Sequence, residues 1–284
     1  MSARCRLCDG GCATRFSVDG YDIARCGRCD LEFVWPTPPP VAVRAVYDDG
    51  YFTAGRFGYD DYFGRERAVA HRKAQTRLER LAALGLRAGR VLDVGCAAGY
   101  FLEVAQQQGW SVEGVERSAE ARTHAPDAVR GAIRESADGL SGAFDAITFW
   151  DVLEHLDAPD EALRQYAKLL APDGVLGIVV PVLGNVNTRL APRTWDQYKP
   201  PEHLWYFSPR AMRAMLAAQG FRVVHEEPAW TRRSRFVDPD ARRTGLGWRA
   251  LRGAEALLFE GIARLGGAAL RVDSVAFYAR RATA

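Results

Sequence analysis

The sequence lacks any hydrophobic run long enough to cross a membrane. Its longest apolar stretch, Val175–Leu183, falls well short of the ~20 residues that a transmembrane helix needs. The N-terminal residues MSARCRLCDG also lack the apolar segment of a secretory signal peptide. We therefore expect a cytoplasmic globular protein, and a hydrophobic content of 48% over 284 residues is enough to build a sizeable core.

Lysine is also nearly absent. The chain holds only Lys73, Lys168 and Lys199, so its basic character comes from arginine. The formal net charge is +3, and between Arg4 and Glu32 five acidic residues offset five arginines. This balance gives no sign of a nucleic-acid-binding surface and disfavours nucleic acid as a partner.

Cysteine is almost confined to the N-terminus, where five of the six lie. Two C-x-x-C pairs are separated by 17 residues: Cys5, Cys8, Cys26 and Cys29. Two such knuckles can place four thiolates tetrahedrally around zinc, and the segment around Asp19-Gly20 is typical of a hairpin between them. We predict a zinc-ribbon-like module with structural zinc, because four cysteine ligands leave no open position. A disulfide framework is the alternative, which a cytoplasmic location disfavours. Cys12 would be a spare thiol.

A proline cluster, Pro36 and Pro38–Pro40, follows the apolar segment Leu31–Trp35 and cannot continue a strand or a helix. Beyond it, apolar residues recur at helical spacing: Ala70, Ala74, Leu78, Leu81 and Leu84. We predict three parts, which are the zinc-ribbon-like module over 1–40, a helical cap or linker over 41–86, and a larger α/β domain over 87–284.

The segment Val91–Phe101, VLDVGCAAGYF, predicts a buried strand that turns through glycine into a helix. Gly95 and Gly99 would let a ligand approach backbone N–H groups, and the positive end of the helix would face the same crevice. Glu116 ends the next apolar stretch, 23 positions after Asp93, where an acid commonly binds a ribose diol. These features predict a nucleotide-type ligand site.

Four successive segments resemble, in order, the motifs of class I S-adenosylmethionine (SAM) methyltransferases: VLDVGCAAGYF, GVERS, FDAITFWDVLEHL and LLAPDGVLGIVVP. The likeness extends over roughly Gly89–Arg281 and departs at Ala97, where the family often has glycine. Alanine is tolerated there if its φ is negative, which we expect. A dinucleotide site would instead show G-x-G-x-x-G, so SAM is favoured over NAD.

The resemblance implies a Rossmann-like α/β fold, with a seven-stranded doubly wound sheet whose last strand pair is antiparallel. After Glu116, the pattern predicts five further strands, with a turn at Pro172–Gly174 and a helical insertion between the last two of these strands. Those strands are expected at Asp127–Ile133 (weak), Phe144–Trp150, Val175–Val180, Phe221–Glu226 and Ser274–Arg280.

The resemblance also implies the donor site. Residues of the turn would line the methionine part of SAM: Asp93, Gly95, Cys96, Gly99 and Tyr100. Glu116 would bind the ribose hydroxyls, and Asp151 would face the sulfonium. For Cys96 we favour a packing role over reactivity.

Two histidines are the predicted acid–base residues. His155 follows Glu154 directly after the strand that ends at Trp150, and His203 lies in the aromatic segment Trp195–Phe207. Structural roles are the alternative for both. The aromatic segment suits an acceptor that is part ring and part polar, or else forms a lid without substrate contact. No catalytic metal is predicted.

A basic segment follows, with seven arginines between Arg232 and Arg252. It is either a solvated surface or a site for an anionic or carrier-linked acceptor, which includes contact with a membrane surface. The cysteine pairs, the proline break and Tyr47 with Tyr51–Phe52 resemble the N-terminal module of a bacterial subset of these enzymes. Some members of that subset act in polysaccharide, sugar or secondary-metabolite pathways, while simple packing of the cap is the alternative for the tyrosines.

Three functions are compatible with these features. We favour a SAM-dependent methyltransferase that acts on a hydroxyl oxygen of a small-molecule or sugar-like acceptor, with nitrogen or carbon acceptors left open. The second is an RNA methyltransferase, because a cysteine-bound zinc module also accompanies this fold in some of those, although the charge balance disfavours it. The third is a non-enzymatic zinc- and SAM-binding module that recruits a partner.

Overall fold

The structure, a computed structural model, describes residues 3–47, 50–53, 58–185, 188–189, 192–231, 261 and 272–282. The chain divides into two compact units. The first, here called the hairpin unit, comprises Met1–Thr37, Val179–Met215 and Glu226–Ala276. The second, the sheet unit, comprises Pro38–Ile178, Leu216–His225 and Phe277–Ala284.

The described residues form eleven strands. In chain order they are β1 (Cys12–Val18), β2 (Tyr21–Cys26), β3 (Glu32–Val34), β4 (Arg90–Val94), β5 (Ser111–Val115), β6 (Ile133–Arg134), β7 (Phe144–Trp150), β8 (Leu170–Pro181), β9 (Trp205–Tyr206), β10 (Phe221–Thr231) and β11 (Val272–Arg281).

The described residues also form seven α-helices. They are α1 (Pro40–Val46), α2 (Arg65–Ala83), α3 (Tyr100–Gln107), α4 (Ala119–Thr123), α5 (Asp127–Arg130), α6 (Pro159–Ala167) and α7 (Pro209–Ala218). Short 3₁₀ turns lie at Leu153–His155 and Pro192–Thr194.

In the hairpin unit, four strands form a sheet in the order β1-β2-β3-β9, with antiparallel pairing throughout. The predicted hairpin is confirmed. Its turn residues Asp19 and Gly20 have φ values of 48° and 82°, which are the two left-handed positions that a tight hairpin turn requires.

Seven described strands form the larger sheet, in the order β10-β11-β8-β7-β4-β5-β6. The pairs β4–β5, β4–β7 and β5–β6 are parallel, and the strands at the β10 end of the sheet are antiparallel, so the predicted Rossmann-like fold is confirmed. The chain runs from β4 outward to β6 and then returns to the other side of β4 as β7. This change of direction creates a switch point at the carboxyl ends of β4 and β7, where ligands of such sheets bind.

Two details of the sheet differ from prediction. Asp127–Arg130 is a short helix after Pro126, and the weak strand is reduced to Ile133–Arg134. Pro172 does not form a turn ahead of a strand, because it lies inside β8, near an exposed beginning of that strand. The predicted helical insertion before β11 lies outside the described residues apart from Gly261, which is helical.

Helix α2 confirms the predicted apolar face, since Ala74, Leu78 and Leu81 are buried. The strands of the sheet unit contribute buried Leu92 and Phe149 to the core. Within the part of the chain that the structure describes, no helix combines the length and the apolar character needed to span a bilayer.

Candidate functional site

The turn after β4 requires glycine at two positions. Gly95 and Gly99 have φ values of 70° and 72°, in the left-handed region that favours glycine. A Cβ atom on Gly95 would lie 2.6 Å from Cγ2 of Val152, and one on Gly99 would lie 2.8 Å from Cδ1 of Ile133. The backbone therefore passes close to its neighbours before α3 begins.

Ala97 does not keep the negative φ that we expected. Its φ is 48°, a left-handed conformation that costs an L-residue about 1–2 kcal/mol. In this conformation the Ala97 amide donates to Oε2 of Glu116 at 2.9 Å. The departure from glycine at this position therefore carries a strain that the sequence did not reveal.

Glu116 is fixed at the end of β5 by backbone donors. Besides the Ala97 amide, the amide of Ser118 donates to its Oε1 at 2.7 Å. Burial raises the pKa of the Glu116 carboxyl, while these two amides and Arg122 act in the opposite direction. A carboxylate has about four acceptor sites, so each oxygen can still accept a hydroxyl donor.

Asp93 is buried at the end of β4, where it faces β7. The hydroxyl of Thr148 donates to its Oδ1 at 2.6 Å, across the parallel register that pairs these two residues. Burial raises the pKa of Asp93 to about 7, although the Thr148 hydrogen bond and Arg77 favour the ionised form. A carboxyl held near neutral pKa is typical of functional sites.

An open cavity lies at this end of the sheet, with about 570 Å³ of empty space that includes open solvent. Five of the seven predicted donor-site residues lie in its wall: Asp93, Gly95, Cys96, Tyr100 and Asp151. Gly99 and Glu116 are not in this wall. The mixture of aromatic, apolar and charged groups in its wall is that of a small-molecule site.

Helix α2 supplies cavity residues that sequence reasoning missed. Lys73 and Arg77 line the wall, and Nη2 of Arg77 lies 3.5 Å from Oδ2 of Asp151. The Arg77 guanidinium also lies 4.4 Å from the ring centroid of Trp150. In the sequence, the only signal for Lys73 and Arg77 is their spacing of four residues, which places both on one helix face, and many surface helices share this spacing.

Trp150, the last residue of β7, also lines the cavity. Its Nε1 is buried and has no hydrogen-bond partner among the described residues. A buried donor of this kind loses free energy unless a ligand or water accepts from it.

Cys96 packs as expected for a small apolar residue. It is buried, and a Cβ on Gly114 of β5 would lie 2.6 Å from its Sγ. Burial raises the pKa of the Cys96 thiol well above its ordinary value. Both observations favour a packing role over thiolate chemistry.

His155 ends the 3₁₀ turn that follows β7. Its Nδ1 lies 2.8 Å from the hydroxyl of Tyr47, the residue at the end of α1, and its Nε2 lies 3.9 Å from Oε1 of Glu154. The Tyr47 contact joins residues 108 positions apart. Sequence analysis predicted a role for the histidine but did not identify this partner.

The aromatic side chains of the cap pack together. Tyr51 and Phe52 are buried with Val46 and Ala121, and Tyr47 packs against them. This supports packing as one role of the tyrosines. Tyr59 and Tyr62 also contribute to the cavity wall.

His203 lies in the hairpin unit and is buried. Its Nδ1 is 3.0 Å from the backbone carbonyl oxygen of Gln197. Because a carbonyl can only accept, Nδ1 carries the proton and the neutral ring has its basic lone pair on Nε2. Most of the predicted aromatic surface around it is interior: Trp195, Tyr198, Tyr206 and Phe207 are buried, and Trp205 is half-buried.

The four predicted zinc ligands come together in the hairpin unit. The Sγ atoms of Cys5, Cys8, Cys26 and Cys29 all lie within 4.8 Å of one another. The separations are 3.4 Å for Cys5–Cys29 and 3.5 Å for Cys8–Cys26. Tetrahedral ligation at Zn–S distances of about 2.3 Å places sulfurs roughly 3.8 Å apart.

The knuckle backbone also suits thiolates. The amide of Arg28 donates to Sγ of Cys26 at 3.3 Å. Against the effect of burial, the amides of Cys29 and Arg28, together with the thiols of Cys8 and Cys29, lower the pKa of Cys26 to about 6, whereas burial raises the pKa values of Cys5 and Cys29. All six cysteines are free thiols, so the disulfide alternative finds no support. Cys12 does not belong to the four-sulfur group; its thiol lies 3.5 Å from the carbonyl oxygen of Gly10.

The arginine-rich segment between Arg232 and Arg252 lies outside the described residues.

A family model described as "Methyltransferase domain" matches residues 64–226 of the chain. This range includes α2, the turn after β4 and both histidines.

The chain is 36% identical over 116 residues to the ubiquinone biosynthesis O-methyltransferase of Erwinia tasmaniensis, covering 37% of this chain and 48% of that one. It is 33% identical over 175 residues to the protein of that name from Caulobacter sp. strain K31, covering 53% of this chain and 68% of that one. The chain thus spans about half the length of the Erwinia protein and of similar enterobacterial relatives.

Among solved structures, magnesium protoporphyrin IX methyltransferase from Synechocystis PCC 6803 with bound SAM superposes with a TM-score of 0.52. The match covers 85% of this chain and 96% of that one at 16% identity, which supports the fold alone.

Proposed function

Since the chain belongs to the methyltransferase-domain family, we propose that it transfers a methyl group from SAM to a hydroxyl oxygen of a small-molecule or sugar-like acceptor. The observation that carries the proposal is the cavity at the carboxyl ends of β4 and β7, lined by carboxylates, arginine and glycine backbone. The names of the relatives, which specify O-methyltransferases, support oxygen as the acceptor atom.

The residues of this cavity, together with Glu116 at the end of β5, fit SAM. Asp93 and Asp151 offer carboxylates to its ammonium and sulfonium groups, and Glu116 offers both oxygens to its ribose hydroxyls. Arg77 and Lys73 suit its carboxylate, together with the amides at the beginning of α3. SAM supplies an electrophilic methyl group on a positively charged sulfur.

The protein's part in the transfer is to align the acceptor and to remove its proton. Methyl transfer from a sulfonium is an in-line displacement, so alignment of nucleophile and methyl carbon provides much of the rate. We assign proton removal to His155, because it follows the cavity residues Trp150 and Asp151 in the same unit. Tyr47 fixes the His155 ring through Nδ1.

His203 is the second acid–base residue of the proposal. Its ring orientation leaves the lone pair on Nε2, as a general base requires. The cysteine hairpin lies outside the matched range 64–226, and together with the segment around His203 it is our candidate for acceptor recognition. An anionic or carrier-linked acceptor stays a prediction from the arginine-rich segment.

We also propose that the four-cysteine group holds one structural zinc ion. The sulfur separations and the amide donors to Cys26 support ligation, and a closed set of four thiolates gives zinc no catalytic position.

One experiment separates this function from its competitors. The full chain is incubated with methyl-labelled SAM and a cell extract, and the product is divided into RNA, protein and small-molecule fractions. The proposal expects label in the small-molecule fraction, bound through oxygen. Label in RNA would support the RNA methyltransferase instead. If the wild-type chain transferred no more label than a His155→Ala, His203→Ala double variant, the proposed enzymatic activity would be overturned.

A further inference from the structure

The metal-binding hairpin and the segment that carries His203 belong to one sheet. Strand β3 pairs with β9, so that Glu32 faces Tyr206 and Phe33 faces Trp205. The amide of Val34 also donates to the carbonyl of Leu204 at 3.0 Å. Strand β3 begins three residues after Cys29, one of the four proposed zinc ligands, so the second cysteine knuckle leads directly into the strand that pairs with β9.

Glu32 is a fully buried carboxylate at this junction. Its Oε1 accepts from Arg15 of β1 at 2.8 Å, and its Oε2 accepts from the hydroxyl of Tyr198 at 2.5 Å. Burial raises the pKa of Glu32, while the Tyr198 hydrogen bond, Arg15 and Arg25 favour its ionised form. A buried charge with this many partners fixes their positions, since displacement of any of them leaves a charge unpaired.

The same network extends to the loop before His203. Arg15 also donates to the backbone carbonyl of Thr188 at 3.2 Å. The ring of Tyr198 packs edge-on against Phe16 of β1, with centroids 5.0 Å apart, and against Tyr206 at 4.6 Å.

His203 is held by neighbours of these groups. Gln197, which precedes Tyr198, accepts from Nδ1 of His203, and the Tyr206 hydroxyl donates to the His203 carbonyl at 2.8 Å. Every step from the cysteine knuckle to the histidine is therefore a direct contact inside one unit.

We propose that metal binding by the four cysteines positions His203, and that Glu32 is the positioning residue that transmits this order. The hairpin is too small to build a core that would hold its strands without a cross-link. Without metal, the knuckle would release β3, and the Glu32 network and the Trp195–Tyr206 segment would lose their support. This proposal rests on the proposed function only in the role that it gives to His203.

The test uses the full chain and three measurements. Zinc content is determined by mass spectrometry, SAM affinity by calorimetry, and amide hydrogen exchange in two segments: 195–206 and, as an internal reference, 91–101. Removal of zinc with a chelator should accelerate exchange in the first segment. Exchange in the reference segment and the Kd for SAM should stay within about twofold.

Glu32→Gln tests the transmitting residue while all four thiolates remain. We expect one zinc per chain, an unchanged Kd for SAM, faster exchange over 195–206 and a kcat lower by about tenfold or more. The matched control is Asp9→Asn, because Asp9 is an exposed acid of the same hairpin whose ion pair with Arg4 is also exposed. Tyr198→Phe, which keeps the ring, should reproduce a weaker form of the Glu32→Gln result.

The proposal is overturned if chelation leaves exchange over 195–206 unchanged, or if Glu32→Gln behaves like Asp9→Asn. Failure of the methyltransferase assignment looks different. In that case exchange over 195–206 would still respond to zinc, while the wild-type chain would show no methyl transfer.

Discussion

The turn after β4 and the cysteine hairpin hold polar groups in fixed positions by different means. The turn lies on parallel strands whose side chains are buried, and its polar contacts use backbone amides such as that of Ala97. In the hairpin, the polar groups that come together are four sulfurs and the buried carboxylate of Glu32, on which we propose that its order depends. A large core can tolerate a strained residue, whereas a small module depends on each of its cross-links.

The strongest way to separate the two regions is Cys26→Ser. In the proposed zinc site, loss of one of the four thiolates opens the ligand set, so we expect zinc content to fall to near zero and the hairpin to lose its order. SAM affinity should be retained. Zinc analysis with SAM calorimetry checks this, and Cys12→Ser, outside the four-sulfur group, should keep its zinc. If Cys26→Ser retained zinc, the ligand assignment would be wrong.

In the sheet unit, His155→Ala should lower kcat by about 10²- to 10⁴-fold, the usual contribution of a positioned acid or base. The Kd for SAM should change by less than about threefold, because His155 is not among the residues that line the proposed donor cavity. Steady-state kinetics with the acceptor and calorimetry measure the two quantities. His124→Ala is the control, since His124 is an exposed residue at the end of α4. Wild-type kcat in His155→Ala would contradict the assignment.

The raised pKa of Asp93 predicts a pH-dependent donor affinity. The ionised carboxylate binds the SAM ammonium, and the protonated form does not. Since the pKa is about 7, the Kd for SAM should rise by up to about tenfold for each unit that the pH falls from 7 to 5. Calorimetry over this range tests the dependence, and Asp93→Asn should bind weakly with a much flatter profile. A wild-type Kd that is constant from pH 5 to 7 would refute the role of Asp93.

These regions also differ in how far the sequence predicts them. Strands β4, β5 and β7 follow from apolar runs, and the turn follows from glycine spacing and the family motif. The hairpin follows from Asp19-Gly20 and the cysteine spacing. Each of these signals is local in sequence.

Contacts between distant residues were not predictable. The Tyr198–Glu32 hydrogen bond joins positions 166 apart, and no pattern in either segment indicates the partner. The same holds for Tyr47 with His155 and for Arg77 with Asp151. Strand β6 was misjudged because only two residues are extended, so the hydrophobic pattern of Asp127–Ile133 could not separate it from the helix before it.

The smallest expected effect concerns the strained residue of the turn. Ala97→Gly relieves a left-handed alanine but adds chain entropy to the unfolded state, so we expect a stabilisation below about 1 kcal/mol. Ala98→Gly, at a buried neighbour without positive φ, should destabilise by about 1–2 kcal/mol. Urea unfolding measures both. A loss of stability in Ala97→Gly as large as that in Ala98→Gly would show that Ala97 is not strained.

The most direct test of the donor site is calorimetric titration of SAM into the wild-type chain and Gly95→Ala. A Cβ on Gly95 would collide with Val152 beside the cavity, whereas Gly131→Ala, at an exposed glycine with open space around it, is the matched control. The account predicts one SAM per chain for wild type and Gly131→Ala, and a loss of at least about tenfold in affinity for a Gly95→Ala variant that circular dichroism shows to be folded. SAM binding of wild-type strength in folded Gly95→Ala, or no binding by the wild-type chain, would contradict it.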